Sequence, residues 1–344
     1  MLRSRRPVRT LRNVVIFICD SLRYDYGHEF LSLFKNSFVI RAITPGLCTP
    51  PAIASILTGM SPLVHGVTDF FDELGVENTL LPKFEDFEFY SYMYDPIRRM
   101  VLRIKRRRRR IREMSEPFIW VERLMETHYP YGRIIFGRFP DDIPCDLRYF
   151  DMLKKKGIDI RKEYLKGVIK AKEHIKLRLV ELKLAGLLER TLVIVCSDHG
   201  EILDYRYPSP HGYPPCRDLV EVPVIFYPPQ RLPRVMRLRD VLPIALNIIG
   251  LDSNGHVRRG VRDTWPKRVR VYDICASCQP LRNFFTIWEC TEDGARMVGI
   301  FEPSSFKRAV KELILKQLES PFKATITAKS YRLLNRKLNL RLPL

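Results

Sequence analysis

No apolar run in this 344-residue chain approaches the roughly 20 residues that cross a bilayer as a helix. Met1-Leu2-Arg3-Ser4-Arg5-Arg6 has the charge of a secretory leader's first region. The apolar run that follows, Val14 to Cys19, is too short for a leader and ends in Asp20. The expected location is cytoplasmic, with contact to a membrane at its surface only. Internal repeats and Gly/Ser linkers are also missing, so the length predicts one large α/β domain with a small C-terminal subdomain. The eight cysteines lack the spacing of a small disulfide-stapled domain. Cys275-Ala276-Ser277-Cys278 is a CxxC without a second pair, which is weak support for zinc. Cys19, Cys48 and Cys196 fall in or beside predicted strands, where a thiol packs as a small hydrophobe.

Acids are absent from one stretch. Arg98 to Arg112 holds ten Lys or Arg and no Asp or Glu, half of the net charge of +20. It reads as a solvated loop or helix, or as a contact for an anionic membrane surface or polyanionic glycan. Neither interleaved aromatics nor a nucleic-acid motif accompanies it, so no specific nucleic acid is expected as a partner. The stretch from Phe306 to Leu344 is also basic and partly amphipathic, and is expected to cap the fold as a helix.

What is present is an alternation of strands and helices. Val14 to Cys19 is a continuous β-branched run that predicts a buried parallel strand. A helix is expected from there to Lys35. Further strands are expected at Phe87 to Met93, Pro117 to Leu124, Leu192 to Cys196 and Val222 to Tyr227. Helices are expected at Ala52 to Leu57, Glu163 to Leu188 and Leu238 to Ile249. Short strands are expected at Val269 to Tyr272, Phe284 to Trp288 and Met297 to Ile300. This order predicts a mainly parallel sheet covered on both faces. Sites on such sheets lie beyond the carboxyl ends of the strands. Asp20, His128 and Asp198 all fall there. Thr49 falls at or just before the start of a helix, where unbonded backbone N–H groups favour an anion. Asp20 and Asp198 offer hard oxygens, His199 a nitrogen and Thr49 a hydroxyl. That mixed set suits a divalent ion, Zn²⁺ or Mn²⁺ better than Ca²⁺.

Together these segments resemble the alkaline phosphatase superfamily, and most closely its sulfatase-like branch. Asn13 to Asp25 (NVVIFICDSLRYD) looks like that branch's opening strand and metal-binding Asp. Thr49 to Gly66 (TPPAIASILTGMSPLVHG) looks like its nucleophile helix, and Ser197 to Glu201 (SDHGE) like its second metal-ligand pair. His128 in METHYPY resembles a substrate-contacting His. His211-Gly212 with Leu219-Val220-Glu221-Val222-Pro223 resembles the late His and returning strand. Arg239-Asp240-Val241-Leu242-Pro243 matches the start of the next helix. The resemblance covers about residues 13–250. It implies an α/β/α sandwich, with a basic tail over 1–12, a catalytic domain over 13–250 and a C-terminal part over 251–344 that completes the fold.

The implied site has Asp20, Thr49, Asp198 and His199 around one divalent ion, with Thr49, His128 and His211 catalytic; the alternative is a second ion held by Glu126, His128 and His211. True sulfatases carry a Cys before x-Pro-x-Arg and convert it to formylglycine. Counting back from Thr58-Gly59 without a gap puts Thr49 at that position, Pro51 at the proline and Ile53 in place of the Arg. Choosing Cys48 instead needs an inserted residue. A threonine implies phosphodiesterase- or phosphoethanolamine-transferase-like chemistry through a covalent Thr49 intermediate, on a small-molecule or a lipid or glycan head-group ester. The alternatives are a true sulfatase using Cys48, or an inactive protein of this fold that binds anionic surfaces through Arg98 to Arg112. For Arg23, Asp25 and His65 the expectation is structural hydrogen bonding.

Overall fold

The computed structural model describes residues 10–92, 94–134, 138, 140–141, 143, 148–207, 210–211 and 216–251, with the backbone of strands over 271–276, 285–291 and 294–301. Seven strands form the main sheet: β1 (Asn13–Cys19), β2 (Ile40–Ile43), β3 (Asp86–Tyr90), β4 (Phe118–Leu124), β5 (Thr191–Cys196), β6 (Glu221–Tyr227) and β7 (Val235–Arg237). Their order is β3-β4-β1-β5-β6-β2-β7. β6 pairs antiparallel with both β5 and β2, while the other neighbours are parallel. The fold is thus mixed α/β with a mainly parallel sheet, as expected. The helices are α1 (Thr49–Thr58), α2 (Pro62–His65), α3 (Arg148–Lys155), α4 (Ile160–Leu184), α5 (Arg217–Val220) and α6 (Val241–Ile248). In the C-terminal part, β8 (Val271–Ala276), β9 (Phe285–Thr291) and β10 (Gly294–Phe301) form a separate antiparallel sheet in the order β10-β9-β8. The tail over 1–9, Cys278, Gly212 and the stretch from Phe306 to Leu344 lie outside the described residues.

The pleat sorts the central strands into two cores. On β1, Val14, Ile16 and Ile18 face the layer that holds α1 and α6, whereas Val15, Phe17 and Cys19 face α4. β4 follows the same rule, with Ile119 and Val121 on the first side and Phe118 and Trp120 on the second. Phe17 and Trp120 meet edge-to-face, ring centroids 6.3 Å apart. α4 buries Tyr164, Val168, Ala171 and Ile175 against this second face. Asp159 caps it by accepting from the Arg161 amide at 2.9 Å.

Two expectations need correction. The segment after Asp20 forms 3₁₀ turns over Tyr24–Leu33 and not an α-helix. The basic segment is not simply solvated either. Arg98 is buried, donating at 2.9 Å to Glu88, to Phe89 O and to Ile104 O. Arg109 grips Asp86 with both terminal nitrogens, and Arg106 lies over the Phe87 ring at 4.1 Å. Glu88 and Asp86 sit on β3, the sheet's edge, so part of this charge run covers an edge strand. Arg103, Lys105, Arg106, Arg107, Arg110 and Arg112 remain exposed.

Candidate active site

The site is built at the carboxyl ends of β1, β4 and β5. Asp20 follows β1 directly, and its amide donates to Leu124 O at 2.9 Å. Ser197, Asp198 and His199 follow β5. Ser197 Oγ accepts from the Leu22 amide at 2.7 Å and lies 2.7 Å from Cys19 O, which ties the two strand ends together. Asp198 Oδ1 accepts from the amides of Ser21 at 3.0 Å and His199 at 2.9 Å. Gly200 must be glycine, because a Cβ there would sit 1.8 Å from Asp218 O.

α1 brings the hydroxyl. Pro50 and Pro51 occupy the first turn, where their missing N–H groups cost no helix bond. Gly59, at φ 73°, closes the other end by donating to Ser55 O at 2.9 Å. Cys48 is extended and lies just outside the helix; Thr49 is its first residue. Thr49 Oγ1 donates to Asp20 Oδ2 at 3.3 Å and lies 3.4 Å from His199 Nε2.

His199 Nδ1 is 2.9 Å from Gly200 O. A carbonyl only accepts, so Nδ1 carries a proton, and Nε2 is the ring atom turned toward the carboxylates. That Nε2 lies 3.6 Å from Asp198 Oδ2 and 3.9 Å from Asp20 Oδ1. Asp198 Oδ2 itself is buried without a hydrogen-bond partner. A buried, orphaned carboxylate oxygen is costly. Asp20, Asp198 and His199 each offer one atom within 4.8 Å of the others, all buried. The residues therefore fit a divalent ion, and the N/O donor set suits Zn²⁺ or Mn²⁺.

Two more imidazoles stand beside this cluster. His211 packs against His199, with ring centroids 4.8 Å apart, and against His128 at 5.2 Å. His211 Nδ1 meets Glu201 Oε2 at 2.8 Å, and Tyr131 donates to Glu201 Oε1 at 2.7 Å. His128 Nδ1 lies 2.7 Å from Tyr129 O. Burial holds His128 below its ordinary value, against the pull of the Asp20 and Glu201 carboxylates. His199, Glu201 and His211 also lie close enough together to share an ion. All six residues singled out from the sequence thus lie around one place. His65 does not join them: it bonds Ser55 Oγ at 2.9 Å and the Val67 amide at 3.1 Å. Arg23 instead chelates Asp25, at 2.8 and 2.9 Å.

Sequence reasoning missed Arg123. The β4 pleat turns it toward α1, where Nε donates to Asp20 Oδ2 at 2.8 Å, Nη2 reaches the same oxygen and Nη1 meets Asp95 Oδ2 at 3.1 Å. Burial disfavours the Asp20 charge, but Arg123, with help from His128 and His199, holds that carboxyl well below the usual range. The preceding residue, Glu122, points the opposite way. It receives Arg178 at 3.0 Å and His174 Nε2 at 3.0 Å, while His174 Nδ1 meets Glu126 at 2.7 Å. The available signal was Glu122-Arg123 itself, two charges inside an otherwise apolar strand.

No protein-family model matches the chain. It is 30% identical over 266 residues to the low-salt glycan biosynthesis sulfotransferase Agl7 of Haloferax volcanii, an alignment covering 71% of this chain. The chain spans 62% of that relative's length, less than two thirds of it. Among solved structures, a 2-O GAG sulfatase matches 96% of this chain and 92% of its own, at TM-score 0.57 and 12% identity. The C-terminal periplasmic domain of phosphoethanolamine transferase EptC from Campylobacter jejuni matches 72% of this chain and 92% of its own, at 0.52 and 15%. Phosphonate monoester hydrolase from Silicibacter pomeroyi matches 92% and 96%, at 0.51 and 13%. On these likenesses the chain has the alkaline-phosphatase-like fold that such sulfatases and transferases share.

Proposed function

We propose that this chain is a metal-dependent enzyme that moves a sulfuryl or phosphoryl group through Thr49 to an acceptor hydroxyl, with a glycan or lipid head group as the substrate class. The observation that carries the reading is the Thr49 hydroxyl between Asp20 Oδ2 and His199 Nε2, at 3.3 and 3.4 Å. The glycan-pathway sulfotransferase among the relatives favours transfer over hydrolysis. Asp20, Thr49, Asp198 and His199 would hold the ion, which supplies Lewis-acid polarisation of the ester and of the threonine hydroxyl.

The chain's own groups carry the remaining steps. Deprotonated Thr49 Oγ bonds to sulfur or phosphorus as the donor's ester bond breaks. His211, held by Glu201, gives the leaving oxygen a proton. His128, kept neutral by burial and with Nδ1 committed to Tyr129 O, presents a bare Nε2 to the acceptor hydroxyl. The acceptor gives its proton to that nitrogen, attacks the Thr49 ester and frees Thr49 Oγ. A proton passing from His128 to the neighbouring His211 completes the cycle.

The test compares wild type, Thr49→Ala and Cys48→Ala on activated aryl sulfate, phosphomonoester and phosphodiester substrates, with added Mn²⁺ or Zn²⁺ and an acceptor alcohol. Thr49→Ala should lose at least about a thousand-fold in turnover, and a trapped adduct should map to the peptide carrying Thr49. Activity that survives Thr49→Ala and dies with Cys48→Ala would mean a formylglycine is made at Cys48, as in true sulfatases.

A further inference from the structure

The outward face of α4 carries an apolar stripe that the described residues leave exposed. Leu165, Ile169, Leu177, Val180 and Leu184 are 37–84% exposed. Their spacing returns to one side of the helix at 3.6 residues per turn. The inward face is already satisfied by the sheet, through Tyr164, Val168, Ala171 and Ile175. Large aliphatics do not gather on a surface helix to bind water or sugar. Lysines interleave with them: Lys162, Lys166, Lys170, Lys176 and Lys183 are exposed, and Glu173 is the one exposed acid on α4. Lys166 and Lys170 pair with Glu163 and Glu173, which leaves the face net positive.

That charge decides between occupants. Two copies of this face would bring like charges together, and a nucleic acid or an anionic glycan would leave the aliphatics wet. A surface that is both negative and able to take in alkyl groups matches both features. We propose that the outer face of α4 docks on an anionic lipid bilayer, the aliphatics entering the head-group boundary and the lysines meeting lipid phosphates. The helix would lie in the membrane plane, with the sheet stacked above it. The basic segment over 98–112 offers charge without such a stripe, since Met100 is its one exposed large apolar side chain.

The test is co-sedimentation of the full chain with vesicles of phosphatidylglycerol and phosphatidylcholine in equal parts, against pure phosphatidylcholine, at low and high salt. Wild type should bind the anionic vesicles, and salt should weaken the binding. Lys162→Glu/Lys176→Glu/Lys183→Glu should bind roughly a hundred-fold more weakly or worse. Leu177→Ser/Leu184→Ser should lose about ten-fold. These positions are exposed, so both variants should fold, and circular dichroism checks this. Thr49→Ala should bind like wild type, so docking and chemistry fail separately. Absence of vesicle binding by wild type, equal binding to neutral vesicles, or binding that survives either variant overturns the proposal. So does a wild-type dimer that Leu177→Ser/Leu184→Ser turns into a monomer.

Discussion

Asp20 divides its two carboxylate oxygens between different tasks. Oδ2 takes Arg123 and the Thr49 hydroxyl, while Oδ1 accepts from Ser21 Oγ at 3.0 Å and lies on the side of His199. The guanidinium thus locks the carboxylate's rotation and leaves Oδ1 with Asp198 Oδ2 for a cation. Arg123→Met would strand Asp20 and Asp95 as buried charges. We expect it to cost about 3–5 kcal/mol in urea unfolding of the metal-free protein. Arg123→Lys should cost less, because it keeps the charge and gives up the two-nitrogen grip. Equal stability of Arg123→Met and wild type would show that the pair contributes nothing.

The β4–α4 pairing has its own chemistry. Burial would lower the His174 pKa, but the bonds to Glu122 and Glu126 outweigh it and push the value up to about 9. A raised histidine contributes stability that is fully present below its unfolded value near 6.5 and lost as pH rises through about 9. Unfolding free energy should therefore fall between about pH 6.5 and 9 in wild type and fall less in His174→Gln. Parallel denaturant titrations across that range would measure it; identical slopes would remove His174 from the account. At this scale the sequence was only partly legible. β1, β4 and β5 are long apolar runs and announce themselves. β2 (Ile40–Ile43) and β7 (Val235–Arg237) are short, and Arg41, Arg234 and Arg237 blur their pattern, so tertiary pairing and not local preference makes them strands. The Arg98–Glu88 contact was equally hidden, since nothing in a charge run says which arginine turns inward.

For the molecule as a whole, the ion would join pieces that lie far apart in the chain: Asp20, Thr49, and the Asp198-His199 pair. A ligand that binds only the assembled state stabilises it by mass action. Mn²⁺ or Zn²⁺ at about a hundred times its dissociation constant should add about 2.7 kcal/mol, read as a rise in Tm. The rise should vanish with chelator and be lost in Asp198→Ala. An Asp198→Ala protein that still gains the full shift would place the ion elsewhere. The gathering of Asp20, Asp198 and His199 was legible because each stands just beyond the end of a central strand, β1 or β5, and that of Thr49 because it opens a helix. The inner cation Arg123 was not, because its role depends on which side of the sheet the pleat sends it.

That alternation makes β4 behave as a reading frame. Glu122 and Arg123 are consecutive, yet one serves the α4 layer and the other the layer of Thr49. Slipping the strand by one residue would exchange them, setting a carboxylate against Asp20 and a guanidinium against His174 and Arg178. Substitutions along Phe118–Leu124 change one contact at a time. An insertion or deletion there inverts the electrostatics of both layers at once, so drift in this strand can proceed by replacement and not by change of length.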